Sequence, residues 1–207
     1  MIKGVTLSLL TLIITGTSSS FQKSHSIYGS DNIIFLQKGA ENQMVNLFVS
    51  HGHCITPFAG KVTGLEILAR PTKDDGNPLE EMKMFFEIDP KTFTVYAGEE
   101  FTSTIKTPGL FIGENDERLT FRSTTIYTLG VDWYHVKGTF SIRGIEREVS
   151  LYVSGIRNSN GKSPEFLVIE GRFNLMDWGI DYDKIVNNHF SANPDRWMHL
   201  NMKVKMG

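Results

Sequence analysis

His51, His53 and Cys54 lie within four residues of one another, and imidazole and thiolate are ligands that zinc and copper favour. In an extended strand His51 and His53 share a face. Two ligands do not close a site, however, and a third would have to come from elsewhere in the fold. Asp177, Asp181 and Asp183 in DWGIDYD gather oxygen ligands, but their spacing fits no calcium loop and aspartate at turns is ordinary. No metal is assigned. Glu99 and Glu100 have no nucleophile or base beside them. The chain has no Gly-x-Ser-x-Gly elbow, no phosphate-cradling glycine loop and no His-Glu-x-x-His. No catalytic residue stands out, and the expectation is that the protein is not an enzyme.

What the sequence does carry is a pattern. From residue 134 it reads YHVKGTFSIRGIEREVSLYVSGIR, then a polar break at NSNGKSP, then EFLVIEGRFNLMDWGIDYDK. Apolar and polar residues alternate with period two, the signature of strands with one greasy face and one wet face. Tyr134, Val136, Phe140 and Ile142 share a face, and Val149, Leu151 and Val153 share one in the next strand. Opposed residues must lie on the same face, so paired numbers sum to an odd total. A two-residue loop on Gly144-Ile145 satisfies this as a type II′ turn. It pairs Phe140 with Val149, Val136 with Val153, and Arg143 with Glu146. Arg147 then falls on the apolar face opposite Ile142, at its rim, where a cation can meet an anionic head group by charge-assisted hydrogen bonds. The bland alternative is a snorkelling side chain.

Further candidate strands cover 32–37, 44–50, 58–69, 82–88, 92–97, 102–106, 119–127, 167–175 and 198–206. Gly60 and Gly64 mark bulges in the third of the chain's strands. RPTKDDGNP (70–78) is turn chemistry, and PLEEM (78–82) allows at most one helical turn. So many short alternating segments, with almost no helical periodicity, mean an all-β barrel or sandwich.

The strings LTFRS (119–123), YHVKGTFSIRGIEREVSL (134–151) and GRFNLMDWGIDYD (171–183) resemble the YceI-like family of polyisoprenoid-binding proteins, as does NLFVSHGHCITPFAGKVTG (46–64). The likeness spans most of the chain from about residue 45 onward. One departure is EEFTSTIKTPGLFIGENDE (99–117), which is shorter than the family's segment and lacks its Arg-Asp-His set, so no role of those residues carries over. The resemblance implies an extended, lipocalin-like antiparallel barrel of about eight strands with an elongated apolar channel. It also matches Arg147 to a basic position of the family, His51 to an early histidine that looks structural, and Trp178-Gly179 to an aromatic-Gly step that plugs a barrel end.

Length and ends complete the expectation. A chain of 207 residues, 40% of them hydrophobic, supports one domain with a sizeable core. A formal charge of −2 with scattered Lys and Arg argues against nucleic acid. Residues 1–20 read as a signal peptide: Lys3, an apolar run over 5–14, then small residues. That run is too short to span a bilayer, so the mature chain, 21–207, is expected without a transmembrane segment and in the periplasm or secreted. Cys54 is the one cysteine, so no intrachain disulfide forms. The expected function is an exported protein that holds a long-chain isoprenoid or similar amphiphilic lipid and performs no chemistry. Tyr134, Val136, Phe140, Val149, Leu151, Val153, Ile169, Phe173, Leu200 and Met202 are expected to line the channel and Arg147 to meet the head group. The lipid is a ligand, with no other cofactor, and a homodimer is left open. The alternatives are a secreted structural or stress-response domain with a filled barrel and a protein partner, and a metal- or haem-linked activity at His51 and His53.

Overall fold

Strand alternation alone dictates that nine segments of this chain hide one face, and the computed structural model shows how they do it. It describes residues 34–38, 43–51, 54–69, 82–96, 98–115, 117–159, 161, 164–182, 184 and 197–206. The expected signal peptide, the 70–78 turn, PLEEM up to residue 81, His53 and Asp183 lie outside these.

The strands are β1 (Ile34–Lys38), β2 (Gln43–His51), β3 (Cys54–Ala69), β4 (Lys83–Val95), β5 (Leu119–Gly130), β6 (Trp133–Ile142), β7 (Ile145–Ile156), β8 (Phe166–Asn174) and β9 (Trp197–Lys205). All pairings are antiparallel in the order β3-β2-β9-β8-β7-β6-β5-β4, and β4 pairs back to β3. Eight strands thus close into a barrel, which leaves no free edge in the ring. β1 is extra, lying on β3 beyond the reach of β2. A helix α1 (Glu99–Ile105) and a 3-10 turn η1 (Leu175–Trp178) complete the elements.

The bulges expected at Gly60 and Gly64 are present as register shifts in the β3–β4 ladder, between Ala59 and Lys61 and between Val62 and Gly64. Three expectations are corrected. Residues 82–88 and 92–97 are not two strands; β4 runs through Pro90. Proline cannot donate to a ladder. The chain copes by slipping register beside it, and Lys61 N donates to Thr92 Oγ1 at 2.8 Å instead of to a β4 carbonyl.

Residues 102–106 are not a strand but the body of α1. Threonine favours strands, but here Thr102 and Thr104 hydroxyls turn back to the carbonyls of Gly98 and Glu100. Glu99 and Glu100 complement the positive end of the first turn.

The third correction is the hairpin. Its loop is Arg143-Gly144, with Ile142 paired to Ile145, and both loop residues have positive φ (54° and 73°), a type I′ turn. The loop starts one residue earlier, so the partner of every residue moves by two. Gly138 faces Val149, Val136 faces Leu151, Tyr134 faces Val153, Phe140 faces Arg147, and Glu146 faces Ser141. The expected sums were odd and so is this one, which is why the faces survive although the partners change. Glycine takes the left-handed region freely. Arg143 has no such freedom, and tertiary hydrogen bonds from its guanidinium hold it there.

Candidate functional site

The barrel interior is the candidate site. Nine of the ten residues expected to line it are buried, and Val149 is partly buried against them. Two ladders run round this wall. One is Val136–Leu151–Gly171–Leu200–Leu47–Phe58, the other Tyr134–Val153–Ile169–Met202–Val45–Gly60.

The interior is not uniform along its length. Towards the β6–β7 turn it is packed with rings. Phe140 stacks on Phe173 at 4.8 Å between centroids, Phe86 on Phe121 at 5.1 Å, and Phe86 lies 6.3 Å from Phe140. Trp178 of η1 meets Phe140 and Phe173 edge-on at 6.0 and 6.2 Å. A second group, Phe58, Phe93 and Phe111, closes the same end at 5.1 to 5.6 Å. Glycines make the space. A Cβ on Gly138 would stand 2.6 Å from the Phe121 ring, and one on Gly171 2.7 Å from Phe173. Each of these two rings thus lies over a strand glycine, in space that a Cβ would occupy.

Towards the other mouth, where β5 turns into β6 and β7 leads to β8, the lining changes to Val136, Leu151, Val153, Leu167, Ile169, Met202, Val204, Ile67 and Met84, with Tyr134 as the one ring among them. These are branched or flexible side chains, and thioethers adapt to irregular apolar shapes.

Arg143 fastens the aromatic end. Its Nη1 donates to the Gly109 carbonyl at 2.6 Å and its Nη2 to the Trp178 carbonyl, so one guanidinium ties the 106–118 segment and η1 to the β6–β7 turn. Hydrogen bonds from a charged donor are the stronger kind, and they hold Arg143 in its positive-φ conformation. Sequence reading placed this residue in a surface charge pair and missed it; two tertiary carbonyls give no sequence signal. Trp178 is buried, as its expected role as a plug requires.

Arg147 stands exposed at the same rim, with Nε donating to the Asp177 carbonyl at 2.7 Å and Nη1 to the Glu146 carbonyl at 2.8 Å. One of its donors therefore holds η1, and the other braces its own strand. β2 ends at His51, which pairs with Cys54; His53 and the side chain of His51 lie outside the described residues. Asp177 is exposed in η1, and Asp181 Oδ1 accepts from Lys184 N at 3.1 Å. Among the described residues no group of His, Cys, Asp and Glu is arranged to hold a metal ion.

Two hollows lie outside the lumen. One of about 560 Å³ is bounded by Gly109, Glu114, Glu117, Arg143 and Ile145. Another of about 460 Å³ on the outer wall is bounded by Tyr152, Glu170, Arg172, His199 and Asn201. In the second, burial and then the Arg172 guanidinium hold the His199 imidazole below its ordinary pKa of 6.5.

With this geometry in hand the comparisons are direct. The family model described as the YceI-like domain matches residues 38–205. BcnA of Burkholderia cenocepacia is similar in structure, with a TM-score of 0.61 at 14% identity over 81% of this chain and 98% of its own. The YceI protein of Campylobacter jejuni has a TM-score of 0.50 at 13% identity, over 96% of this chain and 97% of its own. At such identities the likeness to these structures concerns the fold. No curated protein matches the sequence.

Proposed function

The chain belongs to the YceI-like domain family, and from that premise we propose that it binds a long-chain amphiphile, an isoprenoid or similar lipid, with the tail inside the barrel. The observation that carries this reading is the chemistry of the lumen. Eight strands present it with an apolar wall, and among the described residues the buried polar side chains are only Asp132 and Ser141. The aliphatic half suits the tail, because branched and thioether side chains conform to a flexible hydrocarbon. Binding is driven by shielding that tail from water, at roughly 25 cal/mol per Å² of apolar surface covered. Such a task needs no reaction, which agrees with the lack of any catalytic constellation in the sequence. On this reading the protein is exported and acts in the periplasm or outside the cell, with residues 1–20 removed.

The test is mass spectrometry of an organic extract from natively purified protein. A prenyl or acyl species at near-stoichiometric amount is expected; an extract free of lipid overturns the proposal. Arg147, the residue expected to meet the head group, stands at the ring-packed end, away from the aliphatic half. Arg147→Ala should therefore weaken a prenyl phosphate and the neutral prenol alike. A loss confined to the phosphate would put the head group, and the entry of the tail, at that end instead.

A second reading is supported by the stacked rings: a barrel packed solid and working through its surface. The same extract separates the two.

A further inference from the structure

The β5–β6 hairpin ends in exposed apolar residues where alternation would place polar ones. Tyr127, Leu129, Val131 and Trp133 are all exposed, Val131 at 69% and Trp133 at 50%, and Tyr152 and Ile156 of β7 are exposed beside them. A contiguous patch of this kind marks an interaction site rather than ordinary surface.

The tip is also built to stay in place. Asp132, in the turn, is buried, and both its carboxylate oxygens accept from the Arg157 guanidinium. Its carbonyl accepts from Gly155 N at 2.7 Å, so the turn is bolted to β7. The one carboxylate at the tip is thereby neutralised. The charges beside the patch are mostly cations: Lys137 Nζ lies 5.8 Å over the Tyr127 ring, Lys203 Nζ lies 4.3 Å over Phe166, and Lys205 faces Phe166 across the ladder. Glu165 and Glu170 are the carboxylates of the adjoining β8 region. The opposite end mixes both signs: Glu114, Glu117, Glu146, Glu148 and Asp177 stand with Arg143 and Arg147.

We propose that this tip docks on a lipid membrane surface, with Trp133, Val131 and Leu129 entering the interface and Lys137, Lys203 and Lys205 facing anionic head groups. Trp and Tyr belong at membrane interfaces, where one part of the ring is in apolar surroundings and the other is wet. Basic residues close to an anionic leaflet add attraction that salt screens. The patch is continuous with the aliphatic mouth: Trp133 adjoins Tyr134, and Tyr134 opens the lining with Val153 and Ile169. A tail leaving that mouth passes into hydrocarbon without crossing water. The inference rests on the carrier reading and adds where loading and release take place.

The test is co-sedimentation of the full chain with phosphatidylcholine vesicles, with and without phosphatidylglycerol, alongside the lipid extract described above. Wild type is expected to partition onto the anionic vesicles, less so in high salt. The pair Val131→Asp and Trp133→Ser should lower that partition by about tenfold or more, and Lys203→Glu severalfold, with unfolding midpoints unchanged because these positions are exposed. A loaded protein that ignores both vesicle types overturns the docking inference and leaves the carrier intact. So does equal binding by wild type and variant. A self-association abolished by Val131→Asp, without vesicle binding, also overturns it and gives the patch to a second copy. Vesicle binding that the variants abolish, from a protein with an empty extract, supports docking and removes the carrier reading.

Discussion

The two ends of the lumen are made from the same strands with the same alternation, yet they are filled differently. At the β6–β7 end, rings meet at 4.8 to 6.3 Å, two of them sit over glycines, and a guanidinium fastens the cap. At the other mouth the inward positions, Tyr134 apart, are valine, leucine, isoleucine and methionine, and further rings are on the outside, at Tyr127, Trp133 and Tyr152. Rigid flat surfaces lock against one another, whereas branched and thioether chains leave a wall that can adapt. One end is locked by rings and the other is walled by side chains that can adapt.

The largest expected effect tests the ring-locked end. Phe140→Ala removes the ring shared by Phe86, Phe173 and Trp178 and should cost about 3–5 kcal/mol in chemical denaturation. A loss no greater than that of Ile169→Ala would erase the contrast between the ends. Arg143→Gly keeps the positive-φ turn and deletes both carbonyl bonds. A loss of about 1–3 kcal/mol is expected from the carbonyls left behind, and a neutral result would show that the cap holds without its pin.

Ile169→Trp probes the adaptable wall. If the space belongs to a lipid tail, the indole takes it, the extract loses its lipid and denaturation shifts by less than about 1 kcal/mol. If the wall is solid, overpacking costs about 1–3 kcal/mol instead.

The smallest effect concerns the outer wall around the aromatic end, where His199 pairs across the ladder with Arg172 and Phe48. Its folded pKa lies below 6.5, so the unfolded chain binds the proton more readily. Stability from this group is therefore full above pH 6.5 and declines as pH falls towards the folded value. His199→Gln should flatten the wild-type drop in melting temperature between neutral and mildly acid pH.

Much of this was legible beforehand, and for identifiable reasons. Period-two alternation put Tyr134, Val136, Phe140, Leu151, Val153, Ile169 and Met202 on the inside, and they are there. Gly60 and Gly64 announced bulges that the ladder contains. The failures share a cause. Thr102 and Thr104 have strand propensity, but α1 is held against β4, where Val95 N donates to Thr102 Oγ1 and Ile105 is buried. Gly144 suggested a turn with glycine first, but the loop begins one residue earlier, because Arg143 is held by carbonyls more than thirty positions away. The exposed tip broke the alternation that reading relied on, so its residues drew no notice.

The sequence alone determined which residues face inward, since each strand's period is a local property of the backbone. It also determined the family, through strings short enough to read by eye. Tertiary structure alone decided partner and place: which strand closes the ring, which loop residue takes positive φ, and which end is packed with rings. Those outcomes depend on groups distant in sequence meeting in space, and no local period encodes that.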